Sequence, residues 1–323
     1  MLHVHHALRN APQPRHTLSE FHFGLSAEGA RDDDPRHIPV SLAQLGGDER
    51  VERWSTDSPV DAGTYRDIRF ARDGDYLFAS LIAPPARCGD LEQLTRLSYL
   101  RLDHLLRREG YPYWLRAWNY LAGITVGEGE EERYRRFNAG RHSAVNLSSG
   151  IERNLPAASA LGSEAGGFVL SCLAGKRPGT QIENPRQISA PLYPAQYGRR
   201  SPMFARAALV PNGRGAQLLV SGTASIVGHE SLHIGDPERQ LEETARNFEA
   251  LVETAMRADA DGPRRTGVRL ESLKVYLRNA AHYAPLMPRI RRLFAPEAEP
   301  LVLRADICRR ELLLEIEGTY ALE

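Results

Sequence analysis

The sequence lacks the motifs by which most nucleotide-dependent and metal-dependent enzymes are identified. It has no Gly-x-x-x-x-Gly-Lys-Ser/Thr phosphate loop and no Gly-x-Ser-x-Gly nucleophile elbow. Its 11 histidines place no His-x-x-x-His pair in a predicted helix and no His-x-Asp/Glu pair that would begin an iron triad. The spacing of its cysteines excludes a zinc knuckle. These absences favour a reaction that uses no metal and no cofactor.

Long apolar runs and an excess of one charge are missing as well. No stretch of about 18 apolar residues is present, so we expect no membrane span. The first residues lack the apolar core of a signal peptide. The three cysteines, Cys88, Cys172 and Cys308, are far apart, which is typical of reduced thiols, and we expect a cytoplasmic protein. The 41 basic and 41 acidic residues balance, which argues against a general nucleic-acid binder.

Two stretches of the chain share one order of elements. Each has an apolar strand, a Gly-Asp pair, an amphipathic helix, a loop and a strand that ends in Tyr-Leu, and they span residues 76–121 and 218–277. Asp90 and Asp236 are the predicted N-caps of the two helices. This repeat predicts an α+β chain of two related halves whose sheets pack together. The seam between such halves is a natural place for a pocket.

We expect three segments along the chain. Residues 1–45 are rich in histidine, proline and polar residues and are interpreted as an N-terminal extension with a mobile end. Residues 46–150 are expected to form a first domain of sheet and helices. Residues 151–323 are expected to form a second domain that carries the active site. A chain that holds both halves needs no second copy, so we expect a monomer.

The candidate catalytic residues lie near the end of the sequence. Residues 301–307 and 312–317 are two apolar runs around a polar turn, which predicts a β-hairpin. Glu315 alternates with leucine and isoleucine on the second strand, and burial there would raise its pKa towards the range of a general acid. Arg304 and Cys308 are expected on the facing strand, beside the same pocket. Alternatively, Glu315 is a solvated edge residue and Cys308 is a small core residue.

The segment between the two halves contains several candidate binding residues. Residues 155–162 are mostly small and are interpreted as a loop suited to close backbone approach. Residues 188–206 combine proline, tyrosine and arginine, a composition that suits a rigid loop binding carboxylates and hydroxyls. The candidates from this loop are Tyr193, Tyr197 and Arg206. Alternatively, most of its tyrosines only cover a sheet.

Four motifs in one order carry a resemblance to a known family. They are residues 135–141 (RRFNAGR), 155–162 (LPAASALG), 221–230 (SGTASIVGHE) and 308–315 (CRRELLLE). Together they resemble the chorismatases, and the likeness covers roughly residues 50–323. The repeated strand–helix–strand unit is similar to the YjgF/RidA fold, in which a subunit has a six-stranded sheet and two helices. The resemblance implies duplicated YjgF/RidA-like units packed as a pseudo-oligomeric single chain.

The resemblance also implies an activity. Chorismatases convert chorismate to pyruvate and a six-membered-ring acid without a cofactor. The family's general acid, which protonates the enolpyruvyl methylene, matches Glu315. Seven residues earlier the hydrolytic branch is expected to carry Ala and the branch that forms 3-hydroxybenzoate Cys, so Cys308 favours the latter. A second branch-sensitive position falls at or beside Ser221 and Gly222. A mixture with 4-hydroxybenzoate, as in a branch from a pigment pathway, therefore stays open.

The remaining expected contacts bind the carboxylates and the hydroxyl of chorismate, the one partner that we expect. Arginine suits such a substrate because its guanidinium donates forked hydrogen bonds. The residues expected to bind substrate are Arg141, Tyr193, Tyr197, Arg206, Ser221, Gly222, Ala224 and Arg304. Two alternatives stay open. One is an imine or enamine hydrolase of the RidA kind, which would also use Arg304 and Glu315. The other is a non-catalytic module that binds a small carboxylate.

Overall fold

The structure is a computed structural model of the 323-residue chain. It describes residues 1–24, 33–148, 151, 154–213, 215–258, 267–294 and 299–323. In this part of the chain, sheets of four, six and six strands enclose a common core, and helices cover the two larger sheets. No helix among these residues is long and apolar enough to cross a membrane.

The smallest of the three sheets is built from the N-terminal segment. Its strands are β1 (Leu2–Leu8), β2 (Thr17–Phe23), β3 (His37–Val40) and β4 (Arg50–Thr56). They lie in the order β1-β4-β2-β3. The expectation of a mobile N-terminal end is wrong, because β1 pairs with β4 along its whole length and Leu2 and Val4 are buried. Alternate residues of a strand face the same side, so two apolar residues among histidines are enough to anchor it.

The first six-stranded sheet is built from strands between residues 61 and 175. Its strands are β5 (Asp61–Tyr65), β6 (Ile68–Arg72), β7 (Tyr76–Ala83), β8 (Tyr113–Ala122), β9 (Ala157–Ser163) and β10 (Phe168–Gly175). They lie in the order β5-β6-β7-β10-β8-β9, and helices α1 (Leu91–Glu109) and α2 (Arg133–Leu147) pack on the outer face. As predicted, the Asp90 carboxylate caps α1 by accepting a hydrogen bond from the Gln93 amide, and Gly110 ends the helix with a φ of 86°.

The second six-stranded sheet is formed by the rest of the chain. Its strands are β11 (Thr180–Ile182), β12 (Ala207–Asn212), β13 (Gly215–Thr223), β16 (Val268–Leu277), β17 (Leu301–Arg304) and β18 (Leu314–Leu322). They lie in the order β11-β12-β13-β18-β16-β17. A short hairpin of β14 (Ile226–Val227) and β15 (Glu230–Ser231) follows β13. Helices α3 (Pro237–Arg257) and α4 (Tyr283–Leu293) cover the outer face, and α3 begins after the predicted cap Asp236.

The order of the strands confirms the predicted duplication. Strands β5 to β10 correspond one by one to β11, β12, β13, β16, β17 and β18, and both sheets arrange them in the same way. Tyr120 on β8 and Tyr276 on β16 take equivalent positions, and their hydroxyl oxygens lie 3.4 Å apart in the core. Each unit therefore has the six strands and two helices that the resemblance implies.

The predicted domain boundaries do not coincide with the sheets. β4 lies after residue 46 but belongs to the four-stranded sheet, and β9 and β10 lie after residue 150 but belong to the first six-stranded sheet. Residues 155–162, expected as a loop, mostly form β9, which pairs in parallel with β8. This strand lies against β13 of the other unit, and its small side chains let the two sheets approach closely.

The hairpin predicted at residues 301–317 does not form. β17 pairs in parallel with one side of β16, while β18 pairs antiparallel with the other side, so β16 separates them. The predicted alternation along β18 is correct, because Leu314 and Ile316 pack beneath the helices while Glu315 and Glu317 face the interior between the sheets. Two neighbouring apolar runs indicate strands, but they do not reveal a third strand inserted between them.

The central core lies where the three sheets meet. Phe21, Trp54, Phe78 and Trp118 form ring pairs whose centroids are 5.4 to 6.3 Å apart. Such offset or edge-on contacts stabilise a core beyond the burial of the rings. The second six-stranded sheet closes the cluster with Tyr276 and with aliphatic side chains. The four-stranded sheet thus completes the core that the two six-stranded units share.

Candidate active site

A pocket of about 430 Å³ lies at the seam between the two six-stranded units. The first unit lines it with α2, and the second lines it with the connection from β11 to β12, with the end of β13 and with β18. Its volume is within the roughly 300–1,000 Å³ typical of small-molecule sites. The pocket lies at the seam between the two units. The sequence predicts the active site in the domain of residues 151–323 with Arg141 as a contact from before it, and the structure shows that the first unit also lines the pocket with Tyr134 and Arg135.

Glu315, on β18, is 4% exposed, and it lines this pocket. Burial raises its pKa to about 8; the charge of Glu317 on the same face adds to the rise, and Arg116 offsets part of it. Within the described residues, no hydrogen bond or ion pair engages this carboxyl. The group is therefore mostly protonated at neutral pH, which is the state that a general acid needs.

A β-bulge brings the backbone of β13 next to this acid. The register between β13 and β18 shifts so that Ser221 and Gly222 stand opposite the single residue Glu317. A Cβ atom at position 222 would lie 1.9 Å from Oε1 of Glu315, so the close approach requires glycine. Glycine therefore occurs at this position of the strand because the bulge brings its α-carbon against the carboxyl of Glu315.

Ser221 and Ala224, the other two candidates from this segment, differ in position. Ala224 lines the pocket. Ser221 points away from it, because its hydroxyl donates to the carbonyl of Ala205 at 2.6 Å and accepts from the amide of Ala158 at 2.8 Å. Ser221 therefore ties β13 to neighbouring backbone, and the structure does not place it where substrate would touch it.

Cys308 lies in the turn before β18 and lines the pocket together with Glu315. Burial and the neighbouring Glu315 raise the pKa of its thiol to about 12. The thiol is therefore neutral, and a neutral thiol is a poor nucleophile. Its position suits a role in shaping the space next to the acid.

Arg141 reaches the site from α2 through a cavity of about 30 Å³ that Glu315 also lines. Its guanidinium is buried near two rings, 4.9 Å from the centroid of Phe137 and 5.7 Å from that of Phe204. The Nε atom of Arg141 has no hydrogen-bond partner in the described part of the chain. A buried cation with a free donor is costly unless an anion binds it, so this position favours a carboxylate ligand.

The connection before β12 supplies the other predicted side chains. Arg206 donates from Nη2 to the carbonyl of Ile188 and to the hydroxyl of Tyr193, both at 2.8 Å, and its buried Nε has no partner among the residues described. The hydroxyl of Tyr197 lies 3.2 Å from Nδ1 of His229. Arg206, Tyr193 and Tyr197 all line the pocket, as expected.

Arg304 does not belong to this site. Its side chain is 46% exposed and forms an ion pair with Glu164 at 2.6 Å, and it does not line the pocket. The reason is the strand order, because Arg304 lies on β17 at the edge of the sheet and β16 separates it from Glu315. The RidA-like alternative, which relied on Arg304 and Glu315 acting together, is weakened by this separation.

Sequence reasoning did not identify Tyr134, Phe204 and Arg309, which also line the pocket. The guanidinium of Arg309 lies 3.9 Å from the ring centroid of Tyr197 and donates to the carbonyl of His229 at 2.8 Å. Tyr134 directly precedes one of the four motifs, and Arg309 follows Cys308 within another. The positions of Tyr134 and Arg309 in or beside the motifs could have marked them as candidates. The sequence does not show that their side chains point into the pocket.

Two groups of possible metal ligands lie in the described residues, and neither is part of the acid site. His229 and His233 are four residues apart, but they flank β15 and bind different partners, Tyr197 and Glu243. In the four-stranded sheet, Glu20, His22 and His37 bring one ligand atom each to within 4.8 Å of one another. Arg53 already pairs with Glu20 there at 2.6 Å, which disfavours a cation.

The pocket and the small cavity beside it thus place the neutral acid Glu315 and the neutral thiol of Cys308 close to two buried guanidinium groups, those of Arg206 and Arg141. A small molecule with two carboxylates can place one near Arg141 and the other near Arg206. The proton of Glu315 is then available to an electron-rich atom of the bound molecule. This arrangement suits protonation of a small dianion.

Comparisons with known proteins agree with this chemistry. The family described as chorismatase FkbO/Hyg5-like, N-terminal, matches residues 52–174. A 3-hydroxybenzoate synthase of Streptomyces hygroscopicus is 37% identical over 292 residues, which are 87% of this chain and 84% of that protein. A chorismatase of Streptomyces rapamycinicus is 33% identical and covers 93% of this chain and 90% of its own. A crystal structure of a chorismatase matches with a TM-score of 0.85 at 29% identity, over 99% of this chain and 98% of that one.

Proposed function

The chain belongs to the chorismatase family, and we propose that it converts chorismate to 3-hydroxybenzoate and pyruvate without a cofactor. The observation that carries this proposal is the protonated, buried Glu315 between two incompletely satisfied arginines, Arg206 in the same pocket and Arg141 in the small cavity that Glu315 also lines. Chorismate has two carboxylates and an acid-labile enol ether, so it fits both features. The relative named 3-hydroxybenzoate synthase supports this choice of product.

The first step is transfer of the proton from Glu315 to the methylene carbon of the enolpyruvyl group. This turns the ether carbon into an oxocarbenium-like centre and leaves Glu315 as a carboxylate. Protonation by a positioned acid contributes roughly a hundred- to ten-thousandfold to rate. The buried site favours this transfer, because the acid is neutral before the reaction and faces the bound substrate.

The second step breaks the bond between the ring and the ether oxygen, and pyruvate leaves with that oxygen. The oxygen of the neighbouring ring hydroxyl forms a bond to the ring carbon that the ether oxygen leaves, and it gives up its proton. Its bond to its own ring carbon then breaks and the oxygen takes a proton back, so the product carries its hydroxyl at the former ether position. Loss of a ring proton completes the aromatic ring and restores the proton of Glu315. The two products together have the atoms of chorismate, so no water, oxidant or reductant is consumed.

The two buried arginines suggest how the substrate is oriented. The enolpyruvyl carboxylate is attached to the same carbon as the methylene, so its partner must lie close to Glu315. Arg141 meets this requirement, because it lines the same small cavity as the acid. Arg206, with Tyr193 on its Nη2, is then the partner of the ring carboxylate. Forked hydrogen bonds from both arginines would hold the methylene towards the acid.

Cys308 is proposed to decide the fate of the ring after protonation. A neutral thiol beside Glu315 occupies space that a water molecule would otherwise fill. Exclusion of water favours attack by the ring hydroxyl over hydrolysis. Alanine at this position lacks the sulfur atom and would leave that space open to water, as expected for the hydrolytic branch.

The test is chromatography of the purified protein after incubation with chorismate, with and without a chelator. We expect 3-hydroxybenzoate and pyruvate in equal amounts under both conditions. A peak of 4-hydroxybenzoate beside them would assign the mixed-product branch. Untouched chorismate with folded protein would refute the proposal.

A pair of cysteine variants tests the choice of product. Cys308→Ala is expected to shift the products towards the hydrolysed dihydroxycyclohexadiene acid while pyruvate is still released. Cys88→Ala is the matched control, because Cys88 lies outside the pocket near the start of α1. An unchanged product ratio in Cys308→Ala would refute the role assigned to the thiol.

A further inference from the structure

A buried ion cluster lies behind the acid. The ammonium of Lys274 is 2.8 Å from Glu52 and 2.6 Å from Glu317, so it bridges the four-stranded sheet and the second unit. From the first unit, Arg116 donates to the other oxygen of Glu317 at 2.8 Å. All four side chains are almost fully buried. The three sheets therefore meet on a cluster of two cations and two carboxylates.

Glu317 and Glu315 are two residues apart on one face of β18, but their surroundings differ. Burial alone would raise the pKa of Glu317, yet Lys274 and Arg116 outweigh burial and lower it. Glu317 also accepts a hydrogen bond from the indole of Trp118 at 2.9 Å. Glu315 has none of these partners and keeps its proton. Two like groups held in opposite charge states on one strand are a recurrent arrangement in acid–base sites.

Ser159 connects this cluster to the backbone that touches the acid. Its hydroxyl donates to Oε2 of Glu317 and accepts from Arg116 at 2.6 Å and from the amide of Gly222 at 2.9 Å. Gly222 is the bulge residue whose α-carbon lies against Glu315. The oxygen of one serine of the first unit thus fixes both the ionised carboxylate and the bulge of the second unit.

We propose that Glu317 is a positioning residue for the reaction: its carboxylate, on the same face of β18, adds to burial in keeping Glu315 neutral, and through Ser159 it fixes Gly222 against the acid. The inference rests on the proposed function, because it assigns a role beside the same acid. Glu317 does not line the pocket, so it acts through Glu315 and Gly222 and not on the substrate. Its partners come from both six-stranded units, and Lys274 also binds Glu52 of the four-stranded sheet, so the position of the acid depends on the whole assembly.

Other charged or titratable groups also surround Glu315 and have to be separated from the effect of Glu317. Those nearest to it are Arg116 on β8, Tyr134 and Arg141 on α2, Tyr276 on β16 and Cys308 in the turn before β18. The pocket walls add Glu128, Glu132, Arg135, Tyr193, Tyr197, Arg206, Arg309, Arg310 and Glu311. A single charge must therefore be removed while the rest are kept.

Two substitutions provide that separation. Glu317→Gln removes the charge next to the acid, and Glu52→Gln removes the other carboxylate bound to the same ammonium. Both disturb Lys274 to a similar degree, but Glu52 lies on the four-stranded sheet and does not line the pocket. The measurement is a carboxyl-carbon NMR titration of Glu315 in the wild-type protein and both variants, with the signal assigned by its loss in Glu315→Gln.

We expect Glu317→Gln to lower the titration midpoint of Glu315 by roughly one pH unit, and Glu52→Gln to leave it nearly unchanged. Equal shifts in both variants, or no shift in Glu317→Gln, would overturn the proposal. If Glu317→Gln does not fold, the wild-type titration decides, because Glu317 must be ionised and Glu315 protonated at pH 7. None of these readouts needs turnover, so they stay valid even if chorismate is not the substrate.

Ser159→Ala tests the mechanical part without changing a charge. We expect kcat to fall several-fold with KM unchanged, because Gly222 loses its anchor while the carboxylate-binding arginines are kept. The titration midpoint of Glu315 should move less than in Glu317→Gln. A folded Ser159→Ala enzyme with wild-type kcat would overturn this part of the proposal.

Discussion

The two six-stranded units share one strand order, yet only the second carries an acid at the centre of its sheet. Strands β8 and β16 are equivalent, and Tyr120 pairs with Val169 where Tyr276 pairs with Glu315. The counterpart of the acid in the first unit is therefore an apolar residue. Both units have the same position at the centre of the sheet, but only the side chain of Glu315 can donate a proton there.

Two further differences accompany the acid. The next inward-facing pair on the same strands also differs. It is Trp118 and Ser171 in the first unit, and Lys274 and Glu317 in the second. β7 and β10 pair without a shift in register, whereas β13 and β18 contain the bulge at Gly222. The three features are linked in space. The bulge at Gly222 leaves room for the acid, and Ser159 joins that bulge to the ion-paired Glu317. The two units therefore differ in a few contacts around the acid while they keep the same topology.

The largest expected effect comes from removing the acid of Glu315, which is the main difference between the two units. Glu315→Gln keeps the shape of the side chain but has no proton to transfer, so turnover of chorismate should fall roughly a hundred- to ten-thousandfold. Affinity for chorismate should stay close to that of the wild type. Steady-state kinetics and calorimetry measure the two quantities. Glu20→Gln is the control, a buried carboxyl outside the pocket whose loss should affect stability only.

The same substitution should also show what the buried acid costs the fold. The folded-state pKa of Glu315 is about 8, above its ordinary 4.5, so ionisation favours the unfolded chain as pH rises between these values. Glu315→Gln should therefore be more stable than the wild type at pH 8 by a few kcal/mol, at about 1.4 kcal/mol per pKa unit. The gain should vanish near pH 4. Urea unfolding at both pH values measures it, and a gain that does not change with pH would contradict the assignment.

A smaller effect is expected from filling the bulge that only the second unit has. Gly222→Ala places a methyl group against Oε1 of Glu315 and forces the carboxyl to move. A displacement on the order of 1 Å can cost up to about a hundredfold in rate, so we expect turnover to fall by about tenfold or more. Thermal unfolding should change little, since the carboxyl is the flexible end of a side chain. Gly89→Ala is the control, because no atom lies within 4 Å of its added Cβ.

The smallest effect is expected where the two units are equivalent. Tyr120→Phe and Tyr276→Phe each remove one of the two hydroxyls that meet in the core. Each should lower the free energy of unfolding by about 1 kcal/mol, the usual value of one hydrogen bond. Equal losses would confirm that the units contribute alike there. A loss several times larger for one tyrosine would show that the equivalence is only topological.

Local signals in the sequence predicted much of each unit. The helix caps at Asp90 and Asp236 and the strands that end in Tyr-Leu were found because they depend on neighbouring residues only. The alternation around Glu315 predicted correctly that it faces the interior. The raised pKa followed from the same reasoning, because burial is the main cause.

Long-range pairing could not be predicted in the same way. Arg304 was placed with Glu315 because the two apolar runs are adjacent in sequence, but β16 lies between them. The bridge from Ser159 to Glu317 joins residues 158 positions apart, and no local pattern marks it. Likewise, the histidine-rich start of the chain was not recognised as a strand, because its partner β4 lies more than 40 residues later.

The pocket at the seam has a consequence for how activity scales with protein concentration. Arg141 and Ser159 come from one unit and Glu315 from the other, but a single polypeptide holds all three. The two halves therefore meet at a fixed effective concentration set by the chain that joins them, and not by encounters between molecules. Turnover per molecule should stay constant on dilution to levels at which an assembly of separate subunits would dissociate.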